Sequence, residues 1–275
     1  MFPSLLTIDK EPNAKEEEEE KNIERHLQVP MEQRQNFMSL ENVIHYIKGK
    51  TAYGTENFCY FLYSLIKMEQ PDTVIELGVG EGVSTCMMAQ ALKENGKGVV
   101  WGIDNGSDWK LEGSYENFLN KLLEKLELEK FVNFKNITLT DTQFFDPQKP
   151  IDILFADAGG TGPLNCINLL RYYLPKMNRY SSIFIDRSST IHHAYLVLEQ
   201  IIKHFQDKQI PACLLSSLGH EEVQNFQRLI STSKFTLIHL TETEKAKINK
   251  SQNSRAWIKI EPLDLFHHNG VNSFY

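Results

Sequence analysis

From about residue 39 onward, apolar runs alternate with amphipathic stretches. The runs cover 73–79, 99–104, 132–137, 151–156 and 182–186. Within them VIEL, VVWGI, DILFA and SIFI are continuous rather than alternating, as strands buried on both faces are. Between the runs, apolar residues recur at helical spacing: Val83/Met87/Met88/Ala91/Leu92, Tyr115/Phe118/Leu119/Leu122/Leu126, Leu164/Ile167/Leu170/Leu174 and Ile191/Tyr195/Leu198/Ile202/Phe205. That spacing predicts helices. Strand and helix in repeated alternation predict an α/β fold, a doubly wound and mostly parallel sheet covered by helices. Two short helices precede it, one capped by Ser39 and carrying Val43, Ile44 and Ile47, the other capped by Thr55 and ended by Pro71. The last third departs from the alternation. A helix bearing Val223, Phe226, Leu229 and Ile230 leads to a run at 235–240, a polar linker at 241–254 and a run at 256–260. A lysine-bearing linker with no helical pattern predicts an antiparallel hairpin at the sheet edge, bringing the strands to seven.

Composition narrows the class. The 275 residues contain 29 Lys+Arg against 36 Asp+Glu, a formal charge of −7. No basic field invites nucleic acid or an anionic membrane. No run reaches the ~18 apolar residues of a membrane span, and MFPSLLTIDK lacks the basic start and apolar core of a secretory leader. Cys59, Cys86, Cys166 and Cys213 are widely spaced among apolar neighbours, which predicts four buried free thiols in a reducing cytoplasm. Residues 1–25 hold eight acids against four bases, with five consecutive glutamates. Such a block stays solvated. The expected layout is an acidic arm over 1–35, a helical cap over 36–70, a sheet domain over 71–262 and a tail over 263–275.

The most informative segment is Val74-Ile-Glu-Leu-Gly-Val-Gly-Glu-Gly-Val-Ser-Thr85. Gly78, Gly80 and Gly82 form a turn between strand and helix, where backbone can approach a ligand closely. The dinucleotide spacing G-x-G-x-x-G would need a glycine at 83, where Val83 stands. The pattern is instead acidic-x-G-x-G-x-G, which resembles the S-adenosylmethionine loop of class I methyltransferases. The resemblance implies that Glu76 and the loop hold the methionine end. A carboxylate there suits an ammonium and a sulfonium and would repel a pyrophosphate. Ser84 and Thr85 either donate to the methionine carboxylate or cap the helix. Asp104, 22 residues after Gly82, can accept both ribose hydroxyls, in this reading and in an NAD reading alike. By resemblance the loop after the third strand holds the adenine, with Asp141 and Thr142 as candidates beside a plain Asx turn.

Asp157 and Asp186 end the fourth and fifth strands, on the edge where doubly wound sheets bind ligands. They are similar to the paired strand-end acids of the small-molecule O-methyltransferase branch, the catechol and natural-product type. In that branch the acids hold a divalent cation against the acceptor's hydroxyls, so the resemblance implies Mg²⁺ on Asp157 and Asp186. The branch has Asn after the second acid. Here Arg187 stands there, and a guanidinium competes with a cation. Either Arg187 points away and Mg²⁺ binds, or it pairs with a carboxylate and no metal is used. His192 and His193, which follow the fifth strand, or one of the carboxylates Asp157 and Asp186 are the candidate bases; alternatively the two histidines are plain helix-start residues. His45, His239, His267 and His268 read as structural. Trp109 either packs on an aromatic substrate or on the protein's own surface.

The expected function is S-adenosylmethionine-dependent methylation of a hydroxylated small molecule, without nucleic acid or membrane partners. A homodimer is the assembly that the resemblance implies. An NAD-dependent oxidoreductase and a partner-binding protein of methyltransferase shape are the rivals.

Overall fold

The computed structural model describes residues 40–47, 56–109, 113–138, 145, 147–158, 162–189, 191–241 and 254–264. The chain divides into two units, Met1–Leu40 and Glu41–Tyr275, and the sheet belongs to the second. The acidic arm, Ser39, Tyr53, Gly54, Thr55, most of the 241–254 linker and the tail beyond 264 lie outside the described residues.

Among the described residues seven strands form a single sheet. They are β1 (Thr73–Leu77), β2 (Val99–Ile103), β3 (Val132–Lys135), β4 (Ile151–Ala156), β5 (Met177–Asp186), β6 (Ser233–Thr241) and β7 (Ser254–Pro262). Their order across the sheet is β3-β2-β1-β4-β5-β7-β6. The first five pair in parallel. β7 is antiparallel to both β5 and β6, with Asp186 opposite Arg255 and His239 opposite Ala256. This is the doubly wound, mostly parallel, Rossmann-like sheet with an antiparallel edge hairpin that the apolar pattern predicts. β6 therefore runs in the direction of β5, and the C-terminal ends of β1, β4, β5 and β6 share one edge.

The helices are α1 (40–47), α2 (Glu56–Glu69), α3 (Val83–Asn95), α4 (Tyr115–Lys125), α5 (Pro163–Tyr173), α6 (His192–Gln206), the short α7 (Ala212–Leu215) and α8 (His220–Thr232). Strand alternation decides which core each residue joins. On one face α2 lays Phe58 and Phe61 over Phe155, Phe184 and Trp257, with ring centroids 5.3–5.8 Å apart. On the other face Leu154, Ile183, Ile185 and Ala256 pack with Leu170 of α5, Leu198 of α6 and Phe226 of α8. Each large apolar side chain so buried contributes ~1.5–3 kcal/mol. At the edge opposite the shared C-terminal ends, Asp152 Oδ2 accepts from the backbone N–H of Asp72 and Thr73 at 2.8 and 3.0 Å. That tie anchors the start of β1, so its far end enters the glycine turn at a set height.

Three of the four cysteines are buried, as expected, but Cys213 is exposed. It sits on α7, a single turn whose buried side is taken by Leu214. The apolar neighbours in PACLL therefore say which helix this is, not which way its thiol faces.

Candidate functional site

The turn from β1 to α3 is held from several sides. Gly78, Gly80 and Gly82 have φ of +89°, +53° and +78°, the left-handed region that favours glycine. At Gly78 a Cβ would lie 2.4 Å from the Asp157 carbonyl oxygen. A bare backbone there lets the end of β4 close on the loop, and Asp157 N–H donates to Leu77 O at 2.8 Å. Asp104, at the end of β2, accepts from Val79 and Gly80 N–H through Oδ2 at 2.9 and 3.0 Å. Its Oδ1 accepts from Gly106 N–H at 2.8 Å. Tyr115 of α4 donates to Gly80 O at 2.8 Å and Tyr46 of α1 to Glu81 O at 2.7 Å. Gly80 and Glu81 remain exposed at the tip. The protein's own groups thus hold the loop, which lowers the ordering cost of binding a ligand there. Tyr115 and Tyr46 escape a reading of sequence, because a tyrosine at an apolar helix position reads as core.

Beneath the loop, Glu76 is fully buried. The hydroxyls of Ser84 and Thr85, one on each oxygen, donate to its carboxylate. This departs from both sequence options for Ser84. α3 begins at Gly82 without a side-chain cap, and the Ser84 hydroxyl faces Glu76 rather than outward. Glu76 likewise supports the loop from below in place of lying open to an ammonium. Burial pushes its carboxyl up to about 8; the two hydroxyl bonds oppose this, and the charges of Asp157 and Asp104 add to it.

Asp104 stands beside the loop, where the sequence places it, but three of its bonds go to backbone N–H groups. A carboxylate offers about four lone-pair positions, so capacity for one ribose hydroxyl remains.

At the ends of β4 and β5 Asp157 and Asp186 lie close enough for the charge of one to act on the carboxyl of the other. Asp186 Oδ2 is 3.2 Å from Arg187 Nε, and Oδ1 is 3.1 Å from Arg255 Nε. Burial, then the Asp157 charge, raises the Asp186 carboxyl above its ordinary range, against the pull of the two arginines. Arg255 is 3% exposed, and its guanidinium lies 4.4 Å from the Phe58 ring centroid. Arg187 is left-handed, φ +58°, and its N–H donates to Ser254 O at 2.7 Å. These residues do not fit Mg²⁺. A hard dication wants about six oxygen ligands, whereas both Asp186 oxygens face guanidiniums. Among the described residues no cluster of three His, Cys, Asp or Glu is placed to hold a metal. The Mg²⁺ expectation on Asp157 and Asp186 is therefore corrected, and the alternative in which Arg187 pairs with a carboxylate is the one the geometry carries. Arg255 escapes a reading of sequence, since its partner becomes visible only once β7 is known to lie antiparallel beside β5.

His192 and His193 are exposed at the start of α6, with ring centroids 5.6 Å apart. Trp109 packs on Phe118 and Tyr115 at 4.6 and 5.3 Å and donates to Gly113 O at 3.2 Å, so its indole belongs to the protein's own surface. Asp141 and Thr142 lie outside the described residues. No helix among the described residues is long and apolar enough to cross a membrane.

Residues 75–188 match the family model described as a methyltransferase domain. No curated protein sequence matches the chain. Three solved structures illustrate what it is similar to. The O-methyltransferase TomG from Streptomyces achromogenes, involved in tomaymycin synthesis and in complex with SAM, is 15% identical with TM-score 0.46, over 78% of this chain and 88% of that one. The O-methyltransferase from Bacillus cereus in complex with SAH is 16% identical with TM-score 0.48, over 82% and 91%. The SAH-bound Podospora anserina methyltransferase PaMTH1 is 10% identical with TM-score 0.48, over 94% and 100%.

Proposed function

We propose that the chain, with its methyltransferase domain over residues 75–188, is an S-adenosylmethionine-dependent methyltransferase. It acts on a hydroxyl oxygen of a small molecule, in the cytoplasm. The observation that carries this reading is the loop: exposed Gly80–Glu81 backbone at the sheet edge, held by Asp104, Tyr115 and Tyr46, with a buried acid beneath it.

When bound, S-adenosylmethionine supplies an electrophilic methyl group. In this reading Gly78, Gly80 and Gly82 hold the methionine end, Glu76 and Ser84 support them from below, and Asp104 takes a ribose hydroxyl. Asp141 and Thr142 are assigned to the adenine. The acceptor lies beyond Asp157 and Asp186, and His192 and His193 stand on the same edge as candidate proton acceptors. Alignment of acceptor and methyl supplies most of the rate. An acidic chain without a basic stripe supports a small acceptor over nucleic acid, and a homodimer is the assembly proposed with it.

Calorimetric titration with S-adenosylhomocysteine and, separately, with NAD⁺ tests the reading. The homocysteine product should bind and NAD⁺ should not. Asp104→Ala should weaken binding at least about tenfold, the worth of one hydrogen bond to a charged group. Binding of NAD⁺ in its place would transfer the site to the oxidoreductase reading.

A further inference from the structure

His239, read from sequence as structural, has both ring nitrogens engaged at the site's edge. Nδ1 lies 2.8 Å from Ser189 Oγ and Nε2 lies 2.9 Å from Glu199 Oε1. Tyr195 stacks on the ring with centroids 4.2 Å apart. A carboxylate can only accept, so Nε2 carries the hydrogen toward Glu199 and Nδ1 accepts from the Ser189 hydroxyl. The register sets the height of this chain of bonds. His239 pairs with Ala256, which pairs with Ile185, one residue before Asp186. Ser189 lies in the turn that leaves β5, three residues past Asp186. The hydroxyl therefore stands at the C-terminal edge shared with the glycine loop, partly exposed, while its imidazole is oriented from two sides.

We propose that Ser189, His239 and Glu199 form the proton relay that deprotonates the acceptor hydroxyl, an assignment that rests on the methyltransferase reading above. As the acceptor oxygen bonds to the methyl carbon, the carbon–sulfur bond breaks and its electron pair stays on sulfur. The acceptor proton passes to Ser189 Oγ, and the Ser189 proton passes to His239 Nδ1. The product is the methyl ether, S-adenosylhomocysteine and an imidazolium facing the Glu199 carboxylate; solvent then takes the proton. Ser189 is the catalytic residue, because it meets the acceptor. His239 receives the proton through it, and Glu199 is a positioning residue. Glu199, Tyr195 and Ser189 face the ring; His192 and Lys203 are the other titratable or charged groups on neighbouring turns of α6.

Two phenols separate this relay from a purely structural role. With catechol, whose hydroxyl is protonated near neutral pH, Ser189→Ala and His239→Gln should each lower kcat about 100-fold, the scale of general-base catalysis. With 4-nitrophenol, largely ionised at mildly alkaline pH, both variants should lose at least about tenfold less than with catechol, since no proton remains to be moved. Glu199→Gln should move the rising limb of the catechol pH profile to lower pH, and Glu199→Asp should restore it in part. Affinity for S-adenosylhomocysteine should be unchanged in all of them. Nitrogen-15 spectra of the uncomplexed protein should show His239 as the Nε2–H tautomer, lost in Glu199→Gln. Equal losses on both phenols, an unshifted pH profile, or the opposite tautomer would overturn the relay. So would a wild-type protein that binds S-adenosylhomocysteine and methylates neither phenol. Failure to bind S-adenosylhomocysteine at all would instead remove the methyltransferase reading beneath it.

Discussion

Glu76 makes folding stability depend on pH with a definite sign. Its carboxyl sits at about 8 in the folded chain against an ordinary 4.5. The native state therefore holds a proton more tightly than the unfolded state, so the stability contributed is full below about pH 4.5. It drains as pH rises toward about 8. A gap of roughly 3.5 pH units at ~1.4 kcal/mol each is about 5 kcal/mol. That is comparable to the whole stability of many domains. Full burial means that solvent screens little of it. Glu76→Gln removes the titration while keeping the shape, one acceptor for a hydroxyl and an amide that can donate to the other. Urea unfolding at several pH values from about 5 to 8, followed by tryptophan fluorescence, gives the two stability profiles. Asp186 is shifted in the same direction, so both proteins should lose stability as pH rises, and the difference between them isolates Glu76. The E76Q protein should gain on wild type by about 1.4 kcal/mol per pH unit. Parallel profiles would refute the argument, because they would mean that Glu76 titrates alike folded and unfolded.

Gly78→Ala meets both a left-handed φ and a carbonyl 2.4 Å from the new methyl. It should cost about 3 kcal/mol or more, whereas Gly80→Ala, left-handed with nothing within 4 Å, should cost about 1 kcal/mol; thermal unfolding of the pair tests this. Arg255→Met leaves Asp186 without its buried cation, so its cost should grow with pH toward ~3–5 kcal/mol once that acid is ionised. A loss independent of pH would contradict the pairing. Affinity for S-adenosylhomocysteine and turnover should be the same with Mg²⁺ as with EDTA, and a metal requirement would mean that Arg187 and Arg255 leave Asp186 on binding.

Much of the sheet is legible in the sequence because burial on both faces leaves continuous apolar runs, and 151–156 coincides with β4. The apolar pattern of β5 starts at 182, yet the strand begins at Met177. Asn178, Arg179 and Tyr180 face solvent there, and an exposed strand start reads as a turn. The glycine spacing and the acids at 104, 157 and 186 are legible because strand ends announce themselves where an apolar run stops. What those acids bond to is not. Three N–H groups on Asp104 and two hydroxyls on Glu76 are consequences of how the turn closes, which no local spacing records. Arg255 meets Asp186, and His239 on the next strand meets Ser189, only through the antiparallel placement of β7, a register that a polar linker of ordinary composition does not disclose.

That placement has a consequence for how the chain is assembled. β7 lies between β5 and β6 although it is synthesised after both. During synthesis β6 has no neighbour to pair with, and the flank of β5 stays open, until residues 254–262 emerge. Arg255 arrives with them, so Asp186 spends that interval without this cation. A nascent chain stalled between β6 and β7 would expose two unpaired backbone edges, the surface that invites aggregation. Insertion of one late strand thus closes the sheet and completes the charge balance at the end of β5 in a single event.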